Sequence, residues 1–166
     1  MKKIIKKIGT SILFKSGFLK ILEFNTKIIA YHKANPKYFE EQMKYLKNNY
    51  EVVSLQVALK DLNRKQVIIT FDDGYKNNMD VAYPILKKLG LKATVYVTCD
   101  FIDNNTFTWW DKLDYADLNN IAQSLKTLTP EEIIIKSNKL TNIGDISKPK
   151  IYDFMSWKDV EKIKGV

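Results

Sequence analysis

Two adjacent carboxylates, Asp72 and Asp73, lie at the end of a predicted strand, where they could take part in catalysis or metal binding. They follow an apolar run at residues 67–71 and precede Gly74. An uninterrupted β-branched run without turn residues predicts a strand buried on both faces, as in a parallel sheet. A buried carboxylate costs several kcal/mol unless it is paired, hydrogen-bonded or bound to a metal. Because ligands collect at the C-terminal ends of parallel strands, we expect a functional site at this position.

The geometry of a strand limits how both acids can serve one site. Successive side chains of a regular strand point to opposite faces, so the strand has to end between Asp72 and Asp73. Gly74 allows such a break, because glycine adopts backbone angles closed to other residues. Asp and Gly are also common turn formers, so an ordinary turn is the alternative interpretation of these three residues.

Several segments together resemble the polysaccharide deacetylase family, that is, the NodB-homology domains or family 4 carbohydrate esterases. The resemblance covers residues 28–166. Its centre is Thr-Phe-Asp-Asp-Gly-Tyr at residues 70–75, followed by a predicted helix and then by Gly-Leu-Lys-Ala-Thr-Val-Tyr-Val at 90–97. The other matching segments are Ile-Ala-Tyr-His at 29–32, residues 39–43 through 50–55, and Trp-Trp-Asp-Lys-Leu at 109–113.

This resemblance implies an α/β fold of the NodB-homology type, a partial and irregular (β/α) barrel. It also implies hydrolysis of N-acetyl or O-acetyl groups on a polysaccharide or glycan with one divalent metal ion, Zn²⁺ first, with Co²⁺ or Mn²⁺ as alternatives. The position of Asp72 is that of the catalytic base and the position of Asp73 that of a metal ligand. His32, Tyr75 and Thr98 are candidate substrate-binding or site-adjacent residues, because they lie at or near the predicted ends of strands.

The two further metal-binding histidines that the resemblance implies have no counterpart, because His32 is the only histidine. In the family they follow a strand that should begin at Val166, after a helix with a capping box at Ser156 and Asp159 and a C-cap at Gly165. We therefore interpret the chain as an N-terminal part truncated before the paired-histidine strand. Since zinc sites normally use three or four protein ligands, we expect weak metal binding and no activity by this chain alone.

Two other functions compete with this interpretation. The missing histidines favour a non-catalytic carbohydrate-binding or interaction remnant. A carboxylate-only glycosidase is the weakest alternative, because its two acids have to face each other across about 5–10 Å, and adjacent strand residues suit that poorly.

Composition limits which other partners and covalent cross-links this chain can have. The net charge is +8 and comes almost entirely from lysine. The lysines are dispersed and no recognition motif accompanies them, so we expect no nucleic-acid partner. The single Cys99 cannot form an internal disulfide, and a buried core thiol is the expected role.

The chain divides into residues 1–26 and a deacetylase-like part at 27–166. Lysines punctuate the first segment, and apolar residues at 4, 5, 8 and 12 predict an amphipathic helix that docks on the protein or makes peripheral contact with a membrane. It has neither an uninterrupted apolar run of the ~20 residues that a membrane span needs nor a convincing signal peptide, which favours a cytoplasmic or membrane-peripheral location.

Alternating strands and helices in the second part predict about five parallel strands. Predicted strands occupy residues 27–31, 52–53, 67–71 and 93–98. Predicted helices occupy 38–48, 55–62 and 77 or 78 to 89, and further helices begin near 109, 130 and 157.

Overall fold

A central strand organises the fold. The computed structural model describes residues 25–141 and 147–164. Within them, β3 (Gln66–Phe71) is buried along its whole length. β1 (Thr26–Tyr31) pairs with it in parallel from Thr26↔Gln66 to Tyr31↔Phe71. The apolar run therefore forms a two-sided buried strand, and the predicted α/β class with a parallel sheet is confirmed.

Two short strands share the other edge of β3. β2 (Glu51–Val52) pairs in parallel with its beginning, and β4 (Thr94–Val95) pairs in parallel with its end. The described residues form four strands in an open sheet. The fifth strand, expected from Val166, lies outside the described residues, and the sheet corresponds to part of a barrel.

Eight α-helices in the described residues surround this sheet: α1 (Phe39–Asn49), α2 (Leu55–Ala58), α3 (Tyr83–Leu89), α4 (Cys99–Asn104), α5 (Trp109–Tyr115), α6 (Ala122–Leu125), α7 (Pro130–Thr141) and α8 (Trp157–Ile163). A π-helical turn (Asn78–Ala82) precedes α3, and 3-10 turns occupy Asn119–Ile121 and Lys150–Tyr152. No helix in the described ranges is long and apolar enough to cross a membrane.

The two faces of β3 pack against different partners because its side chains alternate. On one face, Val67, Ile69 and Phe71 contact buried residues of α1 and α3. On the other face, Ile68 packs with Val53 and Ala58. Both faces of β3 are therefore covered along its whole length, and the polar residues Asp72 and Asp73 follow directly after it.

Local signals predicted most element starts, and several element ends differ. Ser54 caps α2 by accepting a hydrogen bond from Val57 N–H, yet α2 ends at Ala58 instead of about 62. β4 covers two residues of the six predicted. Asn77 does not cap the next helix, because its side chain accepts a hydrogen bond from Ala34 N–H at 2.5 Å. Gly90 ends α3 in the left-handed conformation, as predicted.

The buried role predicted for Cys99 is wrong, since its side chain is exposed. β4 ends at Val95, so Cys99 begins α4 outside the sheet and not within a buried strand. The amphipathic segment predicted at residues 1–26 lies outside the described residues, except for Asn25 and Thr26, and Thr26 already belongs to β1. The predicted C-cap Gly165 also lies outside the described residues.

The start of α8 is fixed to the segment that follows the two carboxylates. Ser156 and Asp159 form the predicted capping box. Asp159 also forms a salt bridge with Lys76, whose Nζ lies 2.8 Å from Oδ2 of Asp159. Burial alone would raise the pKa of Asp159, but the hydrogen bonds from Lys76 and Ser156 outweigh it and lower the pKa to about 2.

This pKa predicts how stability depends on acid. A carboxylate with a lowered pKa contributes stability above its unfolded pKa of about 4, and that stability is lost as pH falls through the folded value. We expect Asp159→Asn to lower the free energy of unfolding by about 2 kcal/mol at pH 7, because Lys76 loses a charged acceptor. The variant should also lose less stability than the wild type between about pH 4 and pH 2. Urea unfolding at each pH measures both effects.

Asp80→Asn is the matched control. Asp80 lies 3.7 Å from the same Lys76 amine, but its side chain is 58% exposed. Its removal should change stability by less than about 0.5 kcal/mol. Equal effects of the two substitutions would contradict a specific role of Asp159.

Candidate functional site

β3 ends at Phe71, and the backbone leaves the strand direction between the two carboxylates. Asp72 N–H donates to Tyr31 O at 2.8 Å, which continues the β1–β3 pairing by one residue. Asp73 then adopts a left-handed conformation with φ of 69°, and Gly74 follows with φ of 79°. Sequence reasoning assigned this backbone freedom to Gly74 alone. Asp73 also takes part, since aspartate is among the few non-glycine residues that adopt this conformation.

Gly74 is needed for space as well as for conformation. A Cβ atom at this position would lie 3.2 Å from Cγ1 of Val97. The turn is also held from the other side, because Met155 N–H donates to Gly74 O at 2.9 Å and Lys76 N–H donates to Asp153 O at 2.7 Å. The carboxylate turn is therefore fixed between two neighbouring segments of the chain.

Asp73 contacts the only histidine of the chain. His32 follows β1, so the parallel pairing of β1 with β3 brings it to the same end of the sheet as Asp73. Its Nδ1 lies 3.1 Å from Oδ2 of Asp73. Burial raises the pKa of Asp73; His32 acts in the opposite direction, and the charges of Asp72 and Asp111 add to the rise. His32 is thus close enough to favour the ionised form of a partly buried carboxylate.

Asp111 is a buried carboxylate that the sequence prediction did not assign to the site. Its side chain is 3% exposed. It accepts hydrogen bonds from the Tyr75 hydroxyl at 2.9 Å and from Oγ1 of Thr108 at 2.7 Å, and Nζ of Lys33 lies 3.3 Å away. Nε1 of Trp110 donates to the Tyr75 hydroxyl at 2.8 Å. The available signal was the Trp-Trp-Asp sequence at 109–111, in which an acid follows two aromatic residues.

Lys33 was also missed, although it follows His32 directly. Its Nζ lies 4.2 Å from the ring centroid of Tyr75 and 4.3 Å from that of Tyr152. These cation–π contacts and Asp111 fix the ammonium group of Lys33, whose side chain is 27% exposed. Burial raises the pKa of Tyr75, so its hydroxyl stays protonated and donates to Asp111.

These side chains border an open cavity of about 630 Å³. Of the predicted site residues, His32, Asp73 and Tyr75 line it. Asp72 and Thr98 are not among its lining residues; Asp72 precedes Asp73 directly, and Thr98 directly precedes α4. The other lining residues are Lys33, Trp109, Trp110, Asp111, Asp114, Asn119, Ala122 and Lys126.

The metal donors in this cavity are few. The Asp73 carboxylate and the His32 imidazole are the two adjacent candidates. No cluster of three or more His, Cys, Asp or Glu side chains arranged to hold a metal occurs in the described part of the chain. Since a zinc ion normally takes three or four protein ligands, the described residues do not form a complete zinc site.

The tight turn can be tested with two glycine substitutions. We expect Gly74→Ala to lower the free energy of unfolding by about 2 kcal/mol or more, because a left-handed alanine is strained and its Cβ crowds Val97. Gly90→Ala is the matched control, since Gly90 also has a positive φ but open space around it. It should cost about 1 kcal/mol. Urea unfolding measures both, and equal losses would mean that contact with Val97 adds nothing.

Comparisons with known proteins agree with this architecture. The family model for polysaccharide deacetylases matches residues 59–162. The Bacillus subtilis (strain 168) protein YxkH, whose name assigns it to the polysaccharide deacetylases, is 44% identical in an alignment 68 residues long that covers 37% of this chain and 24% of YxkH.

The fold is also that of a solved structure. A de-N-acetylase from Aggregatibacter actinomycetemcomitans superposes with a TM-score of 0.51 at 21% identity, over 84% of this chain and 50% of that one. A polysaccharide deacetylase from Bacillus cereus gives 0.42 at 25% identity, over 84% of this chain and 54% of that one. The chain thus spans about half the length of these structures. The matched residues and the parallel sheet together place this chain in the polysaccharide deacetylase family.

Proposed function

We propose that this chain carries the carboxylate half of a site that hydrolyses acetyl groups on a polysaccharide or glycan. The family is one of hydrolases. The observation that carries the proposal is the position of Asp73, which the end of β3 turns towards His32 at the wall of an open cavity that two tryptophans also line.

In this proposal Asp72 and Asp73 have different roles. Asp72 is the general base that takes a proton from the attacking water. Water adds to the acetyl carbonyl, the C–N bond of an N-acetyl group breaks, and acetate and an amine are released. Asp73 is a ligand for one divalent metal, Zn²⁺ first and Co²⁺ or Mn²⁺ as alternatives. We assign no step to the metal, because the described residues form only part of a site for it.

The other cavity residues would orient the glycan. Lys33 offers a fixed ammonium donor, and its partner Asp111 also holds the Tyr75 hydroxyl. His32 and Tyr75 are proposed to lie beside the bound sugar. Thr98 is proposed to lie at the rim, because it follows β4 at the same end of the sheet as Asp73. Contact of residues 1–26 with a membrane surface is also a proposal, and we propose no nucleic-acid partner.

A chimera tests this function. We expect this chain joined to the C-terminal half of Bacillus subtilis YxkH to release acetate from chitooligosaccharides when Zn²⁺ or Co²⁺ is added. The 166-residue chain alone should release no acetate. It should also show no micromolar binding of Zn²⁺ by isothermal titration, because it lacks the two further histidine ligands. Asp72→Asn in the chimera should lower kcat by about 100-fold or more, since general base catalysis contributes that much.

YxkH itself is the positive reference, and Asp80→Asn in the chimera is the control for loss of one exposed carboxylate. Clear turnover by the chain alone would show that the missing histidines are not required. An Asp72→Asn chimera as active as its parent would refute the role of Asp72.

Non-catalytic binding of carbohydrate is the second candidate, and the cavity wall favours it. Trp109 and Trp110 line the cavity with their rings 5.5 Å apart in an edge-to-face arrangement. Trp110 is held by its hydrogen bond to Tyr75. Aromatic faces of this kind can stack on sugar rings, so the chain could bind a glycan without hydrolysing it.

Binding can be measured directly on this chain. If it binds chitooligosaccharides, Trp109→Ala should weaken the affinity by about 10-fold, which corresponds to the loss of about 1.4 kcal/mol of aromatic contact. Trp157→Ala is the matched control, because Trp157 is 46% exposed and does not line the cavity. Isothermal titration without metal gives both values, and equal affinities of the two variants would exclude binding through Trp109.

A further inference from the structure

Residues 152–155 run alongside the carboxylate turn, and we call them the support segment. Two backbone hydrogen bonds join the support segment to residues 74–76. Between these bonds, Phe154 forms an isolated antiparallel bridge with Tyr75, and the two rings stack with their centroids 4.7 Å apart. The support segment lies between a 3-10 turn and α8, outside the four strands of the described sheet. Contacts other than sheet pairing therefore have to fix its position.

The side chain of Asn105 holds the support segment from the other side. Asn105 ends α4 in the left-handed conformation, with φ of 45°. Its Oδ1 accepts a hydrogen bond from Phe154 N–H at 3.1 Å, and its Nδ2 donates to Oδ1 of Asp153 at 3.2 Å. One carboxamide thus uses its acceptor and its donor on two residues that lie 49 and 48 positions further along the chain.

Lys148 completes this contact as a nearly buried cation. Its side chain is 10% exposed, and its Nζ lies 3.4 Å from Oδ1 of Asp153. The same Nζ donates to Oδ1 of Asn105 and to Tyr152 O. Burial lowers the pKa of Lys148, and the charge of Asp153 acts in the opposite direction. Burying an ammonium group is costly unless acceptors surround it, and here three acceptors do.

The support segment also reaches the cavity beside the carboxylates. The Tyr152 hydroxyl donates to Oδ2 of Asp114 at 2.8 Å, and Nζ of Lys33 lies 4.3 Å from the Tyr152 ring centroid. Asp114 and Lys33 both line this cavity, whereas Lys148 and Asn105 are not among its lining residues. A shift of the support segment would therefore move the cavity wall together with the carboxylate turn.

We propose that Asn105 and Lys148 are positioning residues, which hold the support segment against the carboxylate turn and thereby keep the Asp73 carboxylate within reach of His32. The route is short, because Gly74 directly follows Asp73 and its carbonyl is bonded to the support segment. A displacement of about 1 Å at a reacting group can cost about 100-fold in rate, so this anchor matters for catalysis. The inference rests on the proposed function for the role of Asp73.

Amide hydrogen exchange on the complete 166-residue chain, without metal or glycan, tests the proposal. We expect Asn105→Gly to speed exchange at the Lys76 and Met155 amides by about 10-fold, roughly the effect of one lost hydrogen bond. Glycine adopts the left-handed conformation of residue 105 without strain, so the variant removes the side-chain contacts and leaves the backbone relaxed. The Asp72 amide, which bonds to Tyr31 O on β1, should exchange at the wild-type rate.

The imidazole of His32 gives a second readout, because it is the only histidine of the chain. At one fixed pH its nitrogen NMR signals report which ring nitrogen carries the proton, and the contact with Asp73 sets that choice. Asn105→Gly and Lys148→Met should both move these signals towards those of Asp73→Gly, in which the contact is absent. Lys150→Met is the matched control. Lys150 is exposed and lies two residues from Lys148, so its loss should change neither the signals nor the exchange rates.

Three results would overturn the proposal. The first is wild-type exchange at Lys76 and Met155 in the variants, and the second is an equal rise at Asp72, which would mean a general loss of stability. The third is an unmoved His32 signal, which would show that the support segment does not position Asp73. If Lys148→Met does not fold, Asn105→Gly decides. Because metal and glycan are absent, these results are independent of acetate release by the chimera.

Discussion

Two carboxylates follow a fully buried strand directly, and the site depends on how the backbone keeps them out of the core. β3 is covered on both faces, so a carboxylate that continued the strand would enter the core. The chain avoids this by turning left-handed at Asp73, immediately after the last backbone bond to β1. The turn costs conformational energy at a non-glycine residue, and backbone hydrogen bonds to Asp153 and from Met155 hold it in place. The same break in the backbone therefore sets both where the Asp73 carboxylate lies and which groups it can contact.

Asp111 shows how a second buried charge supports this turn. Its partners Lys33, Tyr75 and Thr108 come from three separate segments, so one carboxylate connects the ends of β1 and β3 with the start of α5. A buried ion is costly unless its lone pairs are satisfied, and here two hydroxyl donors and an ammonium group satisfy them. Because Tyr75 is two residues from Asp73, this network fixes the orientation of the carboxylate turn as well as the wall of the cavity.

Short-range physics made part of this arrangement predictable. The apolar run of β3, the caps at Ser54 and Ser156, and the left-handed Gly90 depend on neighbours within about four residues, and sequence identifies them. The roles of Asp111 and Lys33 depend on contacts 36 and 78 residues apart along the chain, and a local pattern such as Trp-Trp-Asp at 109–111 does not specify those partners. The same limit explains Cys99, because its exposure depends on where β4 stops pairing with β3.

The segment from Asp72 to Asn78 borders two cavities: the one beside Asp73, and another of about 450 Å³ lined by residues of β4 and α8. Asp73 and Tyr75 line one of them, and Asn78 lines the other. Between them, Lys76 is bonded to Asp159 at the start of α8, whose far end lines the second cavity. Residues 72–78 therefore contribute to the walls of both cavities through one continuous stretch of backbone.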